Sequence, residues 1–146
     1  MKKDIYTVGT SSRTLQEFID LLLSYGIQTA VDVRRIPRSK RFPQFMKETL
    51  SKALEESGIR YVYLGQELGG LRKKGYKNHA LTKTFEEGME ILESLAKTSK
   101  TVFFCCERLF FRCHRKFIAK RLKRKGWNVY HIMDFNRIYE ERGEYE

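Results

Sequence analysis

Apolar side chains recur along the chain with two alternating periods. Ile5-Tyr6-Thr7-Val8 is a short β-branched and aromatic run closed by Gly9, and Thr10 to Thr14 then supply turn and N-cap residues. From Leu15 the spacing changes: Leu15, Phe18, Ile19, Leu22 and Leu23 fall on one helical face that stops at Gly26. The same alternation continues. Strands are predicted at Thr29–Val33, Ile59–Leu64, Thr101–Cys106 and Asn128–Ile132, and helices at Met46–Ser57, Leu81–Ala96 and Cys113–Lys125. Thr101–Cys106 is almost continuously apolar, as expected of a strand covered on both faces. Arg34–Gln44, which holds both prolines, and the long segment Gly65–Ala80 carry neither period and are expected as loops. The tail from Asp134 onward is acidic and receives no element.

Strand alternating with helix, with connections long enough for right-handed crossovers, predicts an α/β fold: one three-layer domain around a mostly parallel five-stranded sheet. Ligands of such sheets bind beyond the carboxyl ends of the strands, near the point where strand order reverses. That rule selects Gly9 to Ser12, Asp32 to Arg34, Glu67 to Gly70, Cys106-Glu107 and Cys113 to Arg115 as one candidate rim.

Composition narrows the partners. The chain has 146 residues, the size of one domain, and a net charge of +11, so its surface field favours polyanions such as nucleic acid, nucleotides or phosphorylated metabolites. No run approaches the roughly 20 apolar residues of a membrane span, and a cytoplasmic location is the expectation. Three cysteines, two of them adjacent, make a poor disulfide framework and suit a reducing compartment.

Gly9, Thr10, Ser11 and Ser12 offer amides and hydroxyls ahead of a helix, a place that favours an anion, although an ordinary cap uses the same residues. No P-loop or dinucleotide glycine fingerprint is present, and no cofactor is identified. Asp32 and Arg34, two residues apart at a strand end, are either a charged pair lining the site or an ion pair holding the next loop. Arg35, Arg38, Lys40 and Arg41, interleaved with Phe42 and Phe45, could follow a sugar-phosphate backbone. Lys120 and Arg124 belong to a helix dense in cations that suits the same partner.

Cys113, expected in the first turn of a helix beside His114 and Arg115, is the best candidate for a reactive thiol. Glu107, Asp32 and His114 are acid and base candidates, and Arg34 and Arg115 anion clamps. Cys106 to Arg112 has the letters of a C-x₅-R oxyanion loop but is bulky and lacks glycine, which argues against such a cradle. Metal ligation matches the spacing of the cysteines poorly. Cys105 is expected as plain core, His131 as a satisfied interior histidine, and His79 in a polar loop.

Taken in order, Thr7-Val8-Gly9-Thr10-Ser11, Asp32-Val33-Arg34 with Pro37 and Ser39, Phe42-Pro43-Gln44-Phe45, Gly58-Ile59-Arg60-Tyr61, Glu67-Leu68-Gly69-Gly70, Cys106-Glu107 and Cys113-His114-Arg115 closely resemble the domain of unknown function 488 family over nearly the whole chain. The resemblance implies a compact Rossmann-like α/β domain with a site built from these residues, and no established reaction. The chain departs from the family pattern beside Glu107: the family has a small residue between its cysteine and glutamate, so Cys105 matches the family's cysteine and Cys106 is the substituted position. Taken together, the residues point to a small enzyme acting on a nucleotide or nucleic-acid-derived substrate. A non-enzymatic nucleic-acid-binding module, or a thiol redox or sulfur-handling protein using Cys113, stand as rivals.

Overall fold

A computed structural model describes residues 3–38, 41–70, 72–109 and 113–142. Strands β1 (Asp4–Gly9), β2 (Thr29–Asp32), β3 (Arg60–Tyr63), β4 (Thr101–Cys105) and β5 (Asn128–Asp134) are parallel, and β6 (Arg137–Glu140) runs antiparallel to β5. Their order across the sheet is β3-β2-β4-β1-β5-β6. The sheet is thus mixed and mostly parallel, as expected, but it has six strands and not five. The added strand comes from the acidic tail, where Arg-Ile-Tyr-Glu is exposed on every residue and so carries no hydrophobic alternation to announce it.

Helix α1 (Leu15–Ser24) starts at a reciprocal capping box in which the Thr14 hydroxyl accepts from the Glu17 amide and the Glu17 carboxylate accepts from the Thr14 amide. Phe18, Ile19, Leu21 and Leu22 form its buried face. With Leu50 and Leu54 of α2 (Lys47–Glu56) they cover one side of the sheet, against Val8, Ala30, Val102 and Phe104. Phe85, Met89 and Leu92 of α5 (Lys83–Thr98) and Ile118, Ala119 and Leu122 of α6 (Arg115–Arg124) cover the other, against Ile5, Val31, Phe103, Cys105 and Val129. β4 therefore sends Val102 and Phe104 to one layer and Phe103 and Cys105 to the other, the two-residue period of a strand buried on both faces. Each such aromatic contributes roughly 1.5–3 kcal/mol by burial.

Both predicted loops contain short helical structure. The Gly65–Ala80 segment holds two single-turn helices, α3 (Gly65–Leu68) and α4 (Tyr76–His79), and Pro43–Phe45 forms a 3₁₀ turn that buries Phe45. A single turn is too short to show a 3.6-residue period. His79, expected in a polar loop, is instead buried in α4, with its Nε2 2.5 Å from the Glu67 carbonyl oxygen. Helix α6 begins at Arg115, two residues later than the expected Cys113, so Cys113 and His114 sit on its approach.

The path through the sheet places the site. β1, β2 and β3 step outward in one direction, β4 returns to lie between β2 and β1, and β5 continues on the far side of β1. Register sets Gly9 beside Cys105 and Asp32 beside Phe104, so the ends of β1, β2 and β4 lie level at this reversal.

Candidate functional site

Asp32 ends β2 with no solvent exposure. Its Oδ1 accepts from the Arg34 amide at 3.0 Å and from Arg34 Nε at 2.9 Å, and its Oδ2 from Arg34 Nη2 at 2.8 Å and the Tyr61 hydroxyl at 2.5 Å. The remaining Arg34 fork donates to the Phe45 carbonyl at 2.6 Å. Burial works against the Arg34 charge, and the Asp32 carboxylate more than restores it. Of the two readings open in the sequence, the loop-holding ion pair is the one this geometry supports: the carboxylate's lone pairs are filled, and the arginine ties β2 to the Phe45 turn.

The second cluster grows from β4. Cys105 is buried, and its Sγ accepts from Arg115 Nε at 3.1 Å. Arg115 is itself buried and donates Nη1 to the Thr7 hydroxyl at 2.6 Å and Nη2 to the Glu107 carbonyl at 2.5 Å. Thr7 Oγ1 lies 3.4 Å from His131 Nδ1, whose ring meets the Glu141 carboxylate through Nε2 at 2.8 Å. His131 is thus the satisfied interior histidine expected, and burial lowers its pKa. Arg115, expected as an anion clamp, instead faces inward and fastens α6 to the ends of β1 and β4.

Cys113 packs against the layer that contains Cys105, and its Sγ lies 3.4 Å from His114 Nδ1. The His114 Nε2–H donates to the Val33 carbonyl at 2.8 Å, which fixes the ring and turns Nδ1 toward the sulfur. Gly70 makes room for this ring: a Cβ there would stand 3.0 Å from His114 Nδ1. The Cys113 thiol is pulled down to about 4, chiefly by the hydrogen bond from the Cys105 thiol, against the effect of burial and with help from His114 and the Arg115 amide. Burial pushes the Cys105 thiol the opposite way. Cys105 is core, as expected, and also accepts from Arg115.

These groups open into a cavity of about 670 Å³, within the size range of small-molecule sites. Its lining includes Cys105, Cys106, Glu107, Cys113 and His114, the rings of Phe42, Phe45, Tyr76 and Phe117, and the cations Arg34, Arg35, Arg38, Arg72 and Lys116. Glu107 is the one carboxylate among these lining residues, so with Arg34 matched by Asp32 the cavity remains positive. Tyr76 stacks on Phe117 at 5.2 Å between centroids and tilts against His114 at 5.4 Å, forming an aromatic wall beside the thiol.

The remaining candidates are dispersed. Thr10 reaches the cavity, but its amide donates to the Cys105 carbonyl at 2.8 Å and the Ser11 amide to the Cys106 carbonyl at 2.9 Å. Gly9 lies where any Cβ would strike the Glu107 backbone, so this turn serves close packing of β1 on the β4 loop. Ser12 is exposed and outside the lining. Arg41 is exposed with its guanidinium 5.3 Å from the Phe42 ring, and Lys120 and Arg124 follow Lys116 along α6 away from the cavity. Lys40, Ser39 and Arg112 lie outside the described residues. Among the described residues no group of three or more His, Cys, Asp or Glu side chains is placed to hold a metal ion, and no helix is long and apolar enough to cross a membrane. Sequence reasoning missed Arg72, Tyr76, Lys116 and Phe117 as lining; for the last two the i+3 and i+4 spacing from Cys113 was the available signal.

The profile of the family described as "Domain of unknown function DUF488" matches residues 14–122, which takes in β2, β4, both polar clusters except Thr7, His131 and Glu141, and the whole aromatic wall. The chain belongs to the DUF488 family. No match was found among curated proteins or among solved structures. The motif order that suggested DUF488 from the sequence is the order in which its residues arrive at one edge of the sheet, Asp32-Val33-Arg34 from β2 and Cys105-Cys106-Glu107 from β4. Cys105 is buried at the end of β4, and Cys106, the next residue, is exposed.

Proposed function

We propose that this DUF488 protein is a small enzyme that acts on a nucleotide or nucleic-acid-derived substrate, with Cys113 as its nucleophile. The observation that carries this reading is the position of the Cys113 sulfur, 3.4 Å from His114 Nδ1 in the lining of a positive, aromatic-walled cavity. A thiolate formed near pH 4 is fully ionised at neutrality, and its burial leaves the cavity as its access to an electrophile. Arg35, Arg38 and Lys116 suit phosphate oxygens, and Phe42, Tyr76 and Phe117 suit the face of a base. His114, within reach of the sulfur, can pass a proton to a leaving group, and Glu107 is the carboxylate available for general acid–base work. Asp32 drops out of that role in this reading, because its lone pairs are filled. The three free cysteines suit a reducing cytoplasm.

The test is a panel of nucleotides, nucleosides and short oligonucleotides assayed with the native chain and Cys113→Ser. Turnover that disappears in the variant, with a covalent adduct on Cys113 by mass spectrometry, supports the proposal; equal turnover in both rejects it. The charge on α6 favours the alternative of a nucleic-acid-binding module, with Lys116, Lys120, Lys123 and Arg124 on one helix. Steeply salt-dependent oligonucleotide binding, with no turnover and no response to Cys113→Ser, would select that alternative.

A further inference from the structure

The cations of α6 divide by what they face. Arg115 turns inward to Thr7, Cys105 and the Glu107 carbonyl, Arg121 pairs with Glu86, and Lys125, just past the helix, pairs with Glu93 at 2.8 Å. Lys123 lies in a shallow hollow with Glu140 and Glu141. Lys116 and Lys120 are left: among the described residues neither meets a carboxylate in an ion pair, and the helix has no acidic residue of its own to neutralise them. They stand one turn apart on one helix face, about 6 Å from each other. The first of them lines the cavity. The opposite bank is built alike: Arg72 and Tyr76 line the cavity, the exposed Lys73 and Lys74 lie between them in the chain, and the exposed Lys77 follows Tyr76. The Tyr76 ring stacks on Phe117 at 5.2 Å, which brings this connection against α6 beside Lys116. Positive charge therefore runs out of the cavity past its mouth.

We infer that the substrate is a single-stranded polynucleotide, which places one nucleotide in the cavity and lays the adjoining phosphates between α6 and the Arg72–Lys77 connection. The inference rests on the nucleotide reading of the cavity and names its substrate class. A volume of about 670 Å³ suits one nucleotide and not a strand, so a free mononucleotide would leave Lys120, Lys73, Lys74 and Lys77 without a role. Further phosphates on the same strand would meet them. Phe42, Tyr76 and Phe117 offer ring faces to an unstacked base, whereas a base inside a duplex has both of its faces already covered. That selects a single strand. The carboxylates of an acidic peptide would also satisfy the lysines, but they bring no planar ring to the aromatic wall.

The test measures binding to the full chain by fluorescence anisotropy and competition, using nucleoside monophosphates, single strands of RNA and of DNA about ten residues long, and a hairpin duplex of the same sequence. The single strand should bind about tenfold or more tighter than the monophosphate at low salt, and its affinity should fall with salt by about 0.7 in the logarithmic slope for each phosphate held. Lys120→Ala and Lys77→Ala should each weaken the strand about three- to tenfold and make that slope shallower by about 0.7, so the strand's advantage over the monophosphate shrinks. The RNA and DNA arms tell the two sugars apart, and a tight complex in either supports the strand. A strand that binds no tighter than the monophosphate, a duplex or a polyglutamate peptide that binds as well as the single strand, or strand binding that ignores both lysine variants would overturn the inference. Each of these leaves the nucleotide reading of the cavity in place. Failure of monophosphate and strand alike to bind would remove both.

Discussion

Asp32 ends β2 and Cys105 ends the neighbouring β4, yet the clusters that grow from them differ in what they leave over. At Asp32 both carboxylate oxygens are filled by Arg34 and Tyr61, and the arginine donates in turn to the carboxylate and to the Phe45 carbonyl. At Cys105 the guanidinium of Arg115 is likewise bonded to Cys105, Thr7 and Glu107, but Cys113, packed against the same layer, has its sulfur beside His114 in the cavity lining. A buried ionisable group is a candidate for chemistry only when its partners leave an orbital and a path to it, and by that measure the Cys113 cluster is the stronger candidate of the two.

The difference can be broken by mutation. Cys113→Ser should have the largest effect, removing modification at that position and lowering turnover by about 10³-fold or more. Its unfolding free energy should shift by less than about 1 kcal/mol, since serine nearly preserves the volume. Asp32→Ala should do the reverse: about 3–5 kcal/mol of stability lost in urea unfolding, because Arg34 would remain buried without its counter-charge, while Cys113 in the folded fraction stays reactive toward iodoacetamide. Loss of reactivity at unchanged stability in that variant would put Asp32 back among the catalytic groups.

His114→Gln comes next. The native thiol, with its pKa lowered to about 4, is fully ionised well above that pH and loses its charge as pH falls through it. Without the His114 hydrogen bond and charge the fall should begin at higher pH, so the alkylation profile moves toward neutrality. Arg38→Ala and Lys116→Ala, at the cavity lining, should each weaken binding of a nucleoside monophosphate about five- to tenfold by calorimetry, leaving the Cys113 profile in place. The smallest effect concerns His131. Burial depresses its pKa, so the stability it contributes is complete above the unfolded value of 6.5 and is lost as pH falls through the lower folded value. His131→Gln should flatten that part of the stability profile in thermal melts.

Periodicity was enough to locate five strands and four long helices, because each buries a face whose spacing survives in the residue order. The single-turn helices at Gly65–Leu68 and Tyr76–His79 were invisible because four residues cannot display a 3.6-residue period, and β6 because it buries nothing. Within the site, Cys113 and His114 were recognisable from residue type and from their place before a helix. The surroundings of Cys105 were not, since its sulfur looks like core until α6 and the approach to it bring Arg115 and Cys113 against that layer. Tyr76 reaches His114 only through the folding of the long connection between β3 and α5, a contact between residues 38 apart that no local pattern encodes.

The central claim, a preformed thiolate at Cys113, is tested most directly by its alkylation rate as a function of pH, followed with iodoacetamide and peptide mass mapping under reducing conditions. A rate that is level from neutrality down to about pH 5 and drops toward a midpoint near 4 is the predicted result. A midpoint near the ordinary thiol value of 9.0 would contradict it.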